Sequence, residues 1–428
     1  MALVALSIVA IVAMAGISID IGTLYEASAE AQRSADAAAL AAAKVLSSSG
    51  ITGDPTNSSG QWSKACDAAT AIAKAVANQD AVGGVATFTV NVTFLSSDAS
   101  SCTSVGAFGV NPMVTVQVVQ STMPSYFARI WGRTGNRVSA SATAEAFNPS
   151  GSAGLSGATI PVQPRCVKPL IVPNLDPGNA TNKFVSTTAG ATEGSIVNGG
   201  IRLSGGGTGV IGETFTLVPD CSPTGNCNSG PPFLNPPGAT SSQLNYIPGQ
   251  VSGTPVAVPS CAAGSFQKAI AGCDQSTVYQ CGVLASSLGG NANQADLSEV
   301  SVPSNTSAAI QCLLNEAKGG TQDSIDTTVY PYQITAGSGN PLNTSGSVIT
   351  SSDSIVSIPI YDGSSLGGGS GPSVTIVGFL QVFIQSVDAV GDMTVTVMNV
   401  SGCGNAVSSG TTALNGTSPV PVRLITPP

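Results

Sequence analysis

The sequence predicts an α+β protein in which a long N-terminal α-helix and a small sheet precede a large β-rich, sandwich-like domain. Three observations carry this prediction. The chain opens on an uncharged apolar run that continues, without a proline, into an alanine-rich segment. Segments that alternate apolar and polar residues follow, as half-buried strands do. The remainder is rich in Gly, Ser, Thr and Pro between short apolar runs, which is typical of β domains with many turns.

The composition excludes several classes of function. Charged residues are only 9% of the 428 residues, and there is no histidine. The lack of histidine excludes a Ser-His-Asp triad, a Cys-His nucleophile pair and an imidazole metal site. The 14 basic residues are too dispersed to build a phosphate-binding surface, which argues against nucleic acid as a partner. A hydrophobic content of 42% with few charges argues against disorder.

The first element is predicted to be one helix over about residues 2–47. Residues 1–19 carry no charge and would span about 29 Å as a helix, close to the roughly 30 Å hydrocarbon core of a bilayer. Residues 24–46 contain no Gly or Pro, and the run Ser47 to Gly50 is a helix terminator. Small residues that would let helices approach closely recur every three or four positions, at Ala27, Ala31, Ala35, Ala38 and Ala42.

Two interpretations of this helix stay open. It is either a single membrane anchor with a helical stalk, or a polymerisation helix that lies in the membrane before assembly and bundles with its own copies afterwards. Asp20, the first carboxylate, either marks the end of the apolar segment or pairs between subunits, since a buried charge needs a partner. The residues expected to take part in self-assembly are Met1, Leu3, Leu6, Ile8, Val12, Ile17, Asp20 and Tyr25.

Residues 48–150 are predicted to form a second helix and a small sheet. Apolar residues at helical spacing predict a helix over Trp62 to Asp80. Alternation with period two predicts strands at Ala86–Leu95, Met113–Gln120 and Arg137–Phe147. Cys66 and Cys102 are the only cysteines of this region, and we expect them to pair.

Two runs in this part of the chain resemble a known family. Asp20–Ala43, which reads DIGTLYEASAEAQRSADAAALAAA, resembles the N-terminal segment of TadE/TadG-like proteins of the bacterial Tad (tight adherence, Flp-type) pilus-assembly systems. Residues 114–144, with VTVQVV, then PSYFARIWG, then VSASATA, resemble the strand, short helix and alanine-rich strand of the same family. A weaker likeness lies at Cys166–Pro173. The resemblance implies a pilin-like protein that is inserted in the inner membrane and processed by a prepilin peptidase.

One departure from the pilin pattern stands out. Type IV pilins carry Glu at position 5 of the mature chain, and if Met1 is the mature start that position here is Ala5. The usual pairing of that carboxylate with a neighbour's N-terminal amine is therefore absent. Either another acid substitutes for it or the assembly differs.

A linker-like run at residues 148–157 separates the rest of the chain. The expected domains are an apolar helix at 1–47, a pilin-like α+β domain at 48–150 and a disulfide-containing β-rich outer domain at 151–428. Residues 378–385 are expected to be a central strand, and a helix is expected from Thr306 to Lys318. The other expected strands are Gly194–Leu203, Gly209–Val218, Ser354–Tyr361, Ser373–Val387, Met393–Val400 and Val420–Ile425.

The cysteines indicate an oxidising compartment. Two precede the linker and eight follow it, which suits complete pairing within each region, while the lack of both histidine and C-x-x-C spacing argues against zinc. Cys221 and Cys227 bracket a turn and are the expected local pair. The cysteines expected to form disulfides are Cys66, Cys102, Cys166, Cys221, Cys227, Cys261, Cys273, Cys281, Cys312 and Cys403.

Asn-x-Ser/Thr triplets offer sites for glycans, although a chain rich in Ser, Thr and Asn also produces such triplets by chance. They occur at Asn57, Asn91, Asn179, Asn305, Asn343, Asn399 and Asn415.

The sequence gives little sign of catalysis, so we expect neither an enzyme nor a cofactor. Two carboxylates could meet in space as in a glycosidase, and the run Asp323 to Asp326 could bind calcium, but no spacing argues for either. The expected function is that of a structural subunit of an extracellular pilus-like filament. Its partners would be its own copies, the inner membrane before assembly and the secretion machinery. The alternatives are a minor pseudopilin or tip adhesin and, with no supporting motif, an anchored envelope enzyme.

Overall fold

The structure is a computed structural model of the chain. It describes residues 2–53, 59–79, 81–86, 88–94, 102, 111–132, 135–149, 162–179, 182–188, 194–203, 208–219, 242–249, 251, 253–276, 279, 303–316, 319–342, 344–362, 376–403 and 414–425. The α+β class is confirmed: a long N-terminal helix is followed by a large β-rich region.

Helix α1 (Ala2–Ser48) runs unbroken through the predicted range, and Gly50, just past its end, adopts a positive φ of 75°. A short 3₁₀ helix (Ile51–Gly53) follows, and α2 (Ser59–Ala77) packs back on α1. The second half of α1 also lies on an antiparallel sheet of order β1-β2-β3-β15. Its strands are β1 (Thr89–Phe94), β2 (Met113–Met123), β3 (Asn136–Ala146) and β15 (Val422–Ile425).

The alanine stripe of α1 explains how the helix fits the sheet. Ala27, Ala31, Ala35, Ala38 and Ala42 are all fully buried. Their methyl groups leave room for the backbone of α1 to lie close to α2 and to strands β2 and β3. Small residues at helical spacing thus serve packing within the chain along this half of α1.

The outer region contains a closed six-stranded barrel of order β11-β12-β13-β6-β7-β5. This corrects the expectation of a sandwich. The parallel pairing of β5 with β11, with Val172 opposite Ile360, joins the two ends of the sheet and removes its edges. The barrel strands are β5 (Leu170–Pro173), β6 (Thr214–Pro219), β7 (Gln243–Pro248), β11 (Ile355–Tyr361), β12 (Ile376–Val387) and β13 (Met393–Gly402).

Smaller elements surround the barrel. Strands β4 (Val162–Pro164) and β14 (Leu414–Gly416) pair with each other. Helices α3 (Ser265–Ala271) and α4 (Pro303–Leu313) pack together. A three-stranded antiparallel sheet is formed by β8 (Ser324–Asp326), β9 (Gln333–Thr335) and β10 (Val348–Ile349).

One expected strand is wrong. Residues 194–203 form only isolated bridges, in which Ile196 lies opposite Val185 and Ile201 opposite Ile211. Its apolar side chains pack against the core without a continuous ladder. In contrast, residues 378–385 lie within β12, which pairs with β11 on one side and β13 on the other, as a central strand does.

The outer region packs directly against helix α1. Strand β15 belongs to the first sheet, although it lies in the range assigned to the outer domain. The Ser47 hydroxyl donates to the Val420 carbonyl at 2.6 Å, and the Asn399 side-chain amide donates to the Ser47 carbonyl at 2.7 Å. One hydrophobic core runs from the alanines of α1 into the barrel. The linker near residue 150 therefore does not mark a boundary between cores.

Candidate assembly surface

The first half of α1 exposes a dense set of large apolar side chains. By length and composition α1 is the one described helix that could cross a membrane, and it lies near the N-terminus. Apolar residues on all sides of a helix require either a bilayer or other protein around them. The exposed side chains are Leu3, Val4, Ile8, Val9, Ile11, Val12, Met14, Ile17, Ile19, Ile21 and Tyr25.

The residues expected to take part in self-assembly fall into two groups. Leu3, Ile8, Val12, Ile17 and Tyr25 are exposed, with fractions from 44% at Ile17 to 83% at Leu3. Asp20, in contrast, is buried. Leu6 lies in α1 but its side chain is not among those described, and Met1 is outside the described residues.

Asp20 binds a loop of its own chain. Its carboxylate accepts hydrogen bonds from the backbone N–H groups of Tyr126 (3.0 Å), Phe127 (3.1 Å) and Ala128 (2.6 Å). These groups open the 3₁₀ helix Ala128–Trp131, which connects β2 to β3. Because a carboxylate that accepts several N–H bonds is well satisfied, Asp20 does not need a second subunit as its partner. The sequence could not show this contact, since its members lie more than a hundred residues apart.

Gly16 forms the second contact with the same loop. A Cβ atom at this position would lie 2.8 Å from the ring of Phe127, so only glycine lets the ring rest on the helix. A Cβ atom at Gly22, which lies further along the same helix, would meet nothing within 4 Å. Gly16 and Asp20 together fix the loop at the point where α1 leaves the folded domain.

Disulfides lie within the N-terminal region and within the outer region. Cys66 is bonded to Cys102, which joins α2 to the connection between β1 and β2. Cys166 is bonded to Cys273, and Cys261 to Cys312. Cys403 is also disulfide-bonded. Cys221, Cys227 and Cys281 lie outside the described residues, so the pairing expected for Cys221 with Cys227 remains a prediction.

The glycan sites differ in accessibility. Asn91 and Asn179 are exposed and Asn305 is half-buried. Asn399 is fully buried and donates to the Ser47 carbonyl, so a sugar cannot be attached there in the folded chain, which corrects that expectation. Asn57 and Asn343 are outside the described residues, and the side chain of Asn415 is not described.

The outer region brings together two carboxyls that the sequence did not pair. Asp176 and Glu213 are both buried and share a hydrogen bond, and the Arg202 guanidinium lies 3.7 Å from Glu213. Burial, with the charge of Asp176, raises the pKa of Glu213 to about 7 despite that arginine. Asp323 accepts from the Gly337 N–H and the Asn340 amide inside the fold. Both sets of contacts hold loops of the outer region in place.

Helix α1 thus packs its second half on an antiparallel sheet and exposes an apolar first half. A family model described as putative Flp pilus-assembly TadE/G-like matches residues 1–45. This confirms the family resemblance over the N-terminal segment, which is the part of the chain that the pilus-assembly model matches. Comparison with curated proteins and with solved structures gives no match.

Proposed function

We propose that the protein is a structural subunit of an extracellular bacterial pilus-like filament. The first halves of α1 bundle into the filament core, and the barrel region forms the outer surface. The exposed apolar half of α1 is the observation that carries this proposal, since it is continuous with a half packed firmly in the domain.

Removal of this surface from water favours both the membrane-inserted and the assembled chain over a chain whose helix is exposed. Each fully buried Leu, Ile or Val is worth about 1.5–3 kcal/mol relative to exposure in water. Before assembly the bilayer would cover the surface, and in the filament the same residues from other copies would do so. The proposal thus assigns the inner membrane, the assembly machinery and further copies of the chain as successive partners.

A matched pair of substitutions tests the role of the helix. Val12 and Val348 are similarly exposed, at 61% and 63%, but Val348 lies on β10 of the outer region. We expect Val12→Asp to abolish filaments seen by negative-stain microscopy, because a buried unpaired charge costs several kcal/mol. Val348→Asp should leave them intact. Normal filaments from the Val12→Asp chain would contradict the proposal.

A second candidate is a minor pseudopilin or tip adhesin that a different pilus presents. The size of the outer region favours it, because major Flp pilins are typically very short. Immunogold labelling of the barrel region separates the two: label along the whole fibre supports the structural subunit, and label only at the tip supports the adhesin.

A further inference from the structure

The loop between β2 and β3 occupies a particular place on the molecule. We call residues 124–132 the foot. Asp20 binds three of its N–H groups and Gly16 accommodates the Phe127 ring. The foot therefore lies where α1 leaves the domain, with about 21–27 Å of apolar helix beyond it. That length is close to the thickness of the hydrocarbon core of a bilayer.

The residues around the foot are positively charged, whereas the whole chain is acidic. The whole chain has a net charge of −9, but residues 121–144 contain three arginines and no acidic residue. Arg129 and Arg137 are exposed. Tyr126 is 59% exposed, and Tyr25 on the adjacent turn of α1 is 76% exposed. Asp20, the nearest carboxylate along α1, is already bound to the backbone of the foot.

We infer that the foot contacts the anionic headgroup surface of the membrane while the first half of α1 is inserted. The phenol rings would lie at the interface, where tyrosine is enriched in membrane proteins. Lipid phosphates would meet Arg129 and Arg137, each of which contributes about fivefold to binding at an anionic surface. The inference rests on the proposed function, because it requires α1 to be in the membrane before assembly.

The charge pattern favours lipid over protein as the occupant. Residues 1–19 of α1 bear no carboxylate, so this segment of a neighbouring copy offers the foot no acidic partner. An anionic bilayer surface supplies phosphates at the depth where the helix enters. The contact would hold the domain upright on the membrane at a fixed depth.

Quenching of tryptophan fluorescence by brominated lipids tests this contact in the full chain. The probe is Tyr126→Trp, with Trp131→Phe to remove the other tryptophan of the foot. Trp62 remains as a buried constant signal. The control is Leu342→Trp in the same Trp131→Phe background, at a side chain that is 64% exposed in the outer region. Vesicles contain phosphatidylcholine alone or mixed with phosphatidylglycerol.

We expect strong quenching at position 126, stronger with phosphatidylglycerol, and none at position 342. Replacing both Arg129 and Arg137 with Gln should reduce the signal to the phosphatidylcholine value. If the chain floats with vesicles but position 126 is not quenched, or is quenched equally in both lipids, the inference is overturned and the proposed function stands. If the chain does not float, the membrane-inserted state and the inference both fail.

Discussion

The Asp20 side chain links helix α1 to the foot. Its carboxylate joins the helix to a loop 106–108 residues away through three backbone N–H groups. Hydrogen bonds to an ionised acceptor are stronger than those between neutral groups, and three of them converge on this one carboxylate. The Asp20 carboxylate therefore stabilises the fold of its own chain.

Replacing Asp20 with Asn tests that link. The amide keeps one acceptor oxygen and loses the charge, so we expect the foot to open more often. Because Arg129 is exposed within the foot, the measurement is the rate of trypsin cleavage after Arg129, identified by mass spectrometry. The rate should rise about tenfold or more, since weaker hydrogen bonds raise the population of the open foot.

Glu26→Gln is the matched control for this variant, since Glu26 is an exposed carboxylate on the same helix. It should leave the cleavage rate unchanged. Equal rates in the Asp20→Asn and wild-type chains would show that the hydrogen bonds do not hold the foot.

Glu213 predicts a pH dependence of stability. Its pKa is about 7 in the folded chain against 4.5 for an ordinary glutamate. Between these values the folded chain binds more protons than the unfolded chain, so stability falls as pH rises from about 4.5 to 7. We expect Glu213→Gln to flatten this decline in the apparent melting temperature, while Glu26→Gln keeps it. If the apparent melting temperature of Glu213→Gln falls with pH as steeply as that of the wild-type chain, other groups cause the pH dependence.

At the scale of elements, the alanine stripe makes α1 fit its sheet. Ala38 is fully buried, whereas its neighbour Ala37 is exposed. Ala38→Leu should destabilise the domain by about 1–3 kcal/mol, because the added atoms have no space. Ala37→Leu should change stability by less than about 0.5 kcal/mol. The apparent melting temperatures of the two variants check this, and equal values would mean that α1 does not pack on this face.

Local patterns made α1, β2 and β3 predictable, because each element follows from the spacing of its own apolar residues. The closure of the barrel could not be predicted in this way. It depends on the pairing of Val172 with Ile360, and nothing in either segment specifies a partner so far along the chain. The Asp20 contact and the Asp176–Glu213 pair were missed for the same reason. The exposed apolar run at the start of α1 could be predicted because a continuous run of apolar residues needs no distant partner to be recognised.

At the scale of the whole molecule, the last described strand lies in the sheet on which the N-terminal helix packs. Strand β15 pairs with β3, where Leu424 lies opposite Ala144, so the C-terminal segment completes the sheet that supports α1. Asn399 in the barrel donates to Ser47 at the end of the same helix. These contacts connect the barrel to the helix, so in the proposed filament the helical core would hold the outer region in a defined position.

Helical reconstruction of purified filaments by electron cryomicroscopy tests the central claim most directly. The proposed structural subunit predicts a repeating unit whose barrel lies on the outside, with the first half of α1 from every copy in the central bundle. A shaft built from a short pilin, with no density for the barrel along its length, would contradict that account.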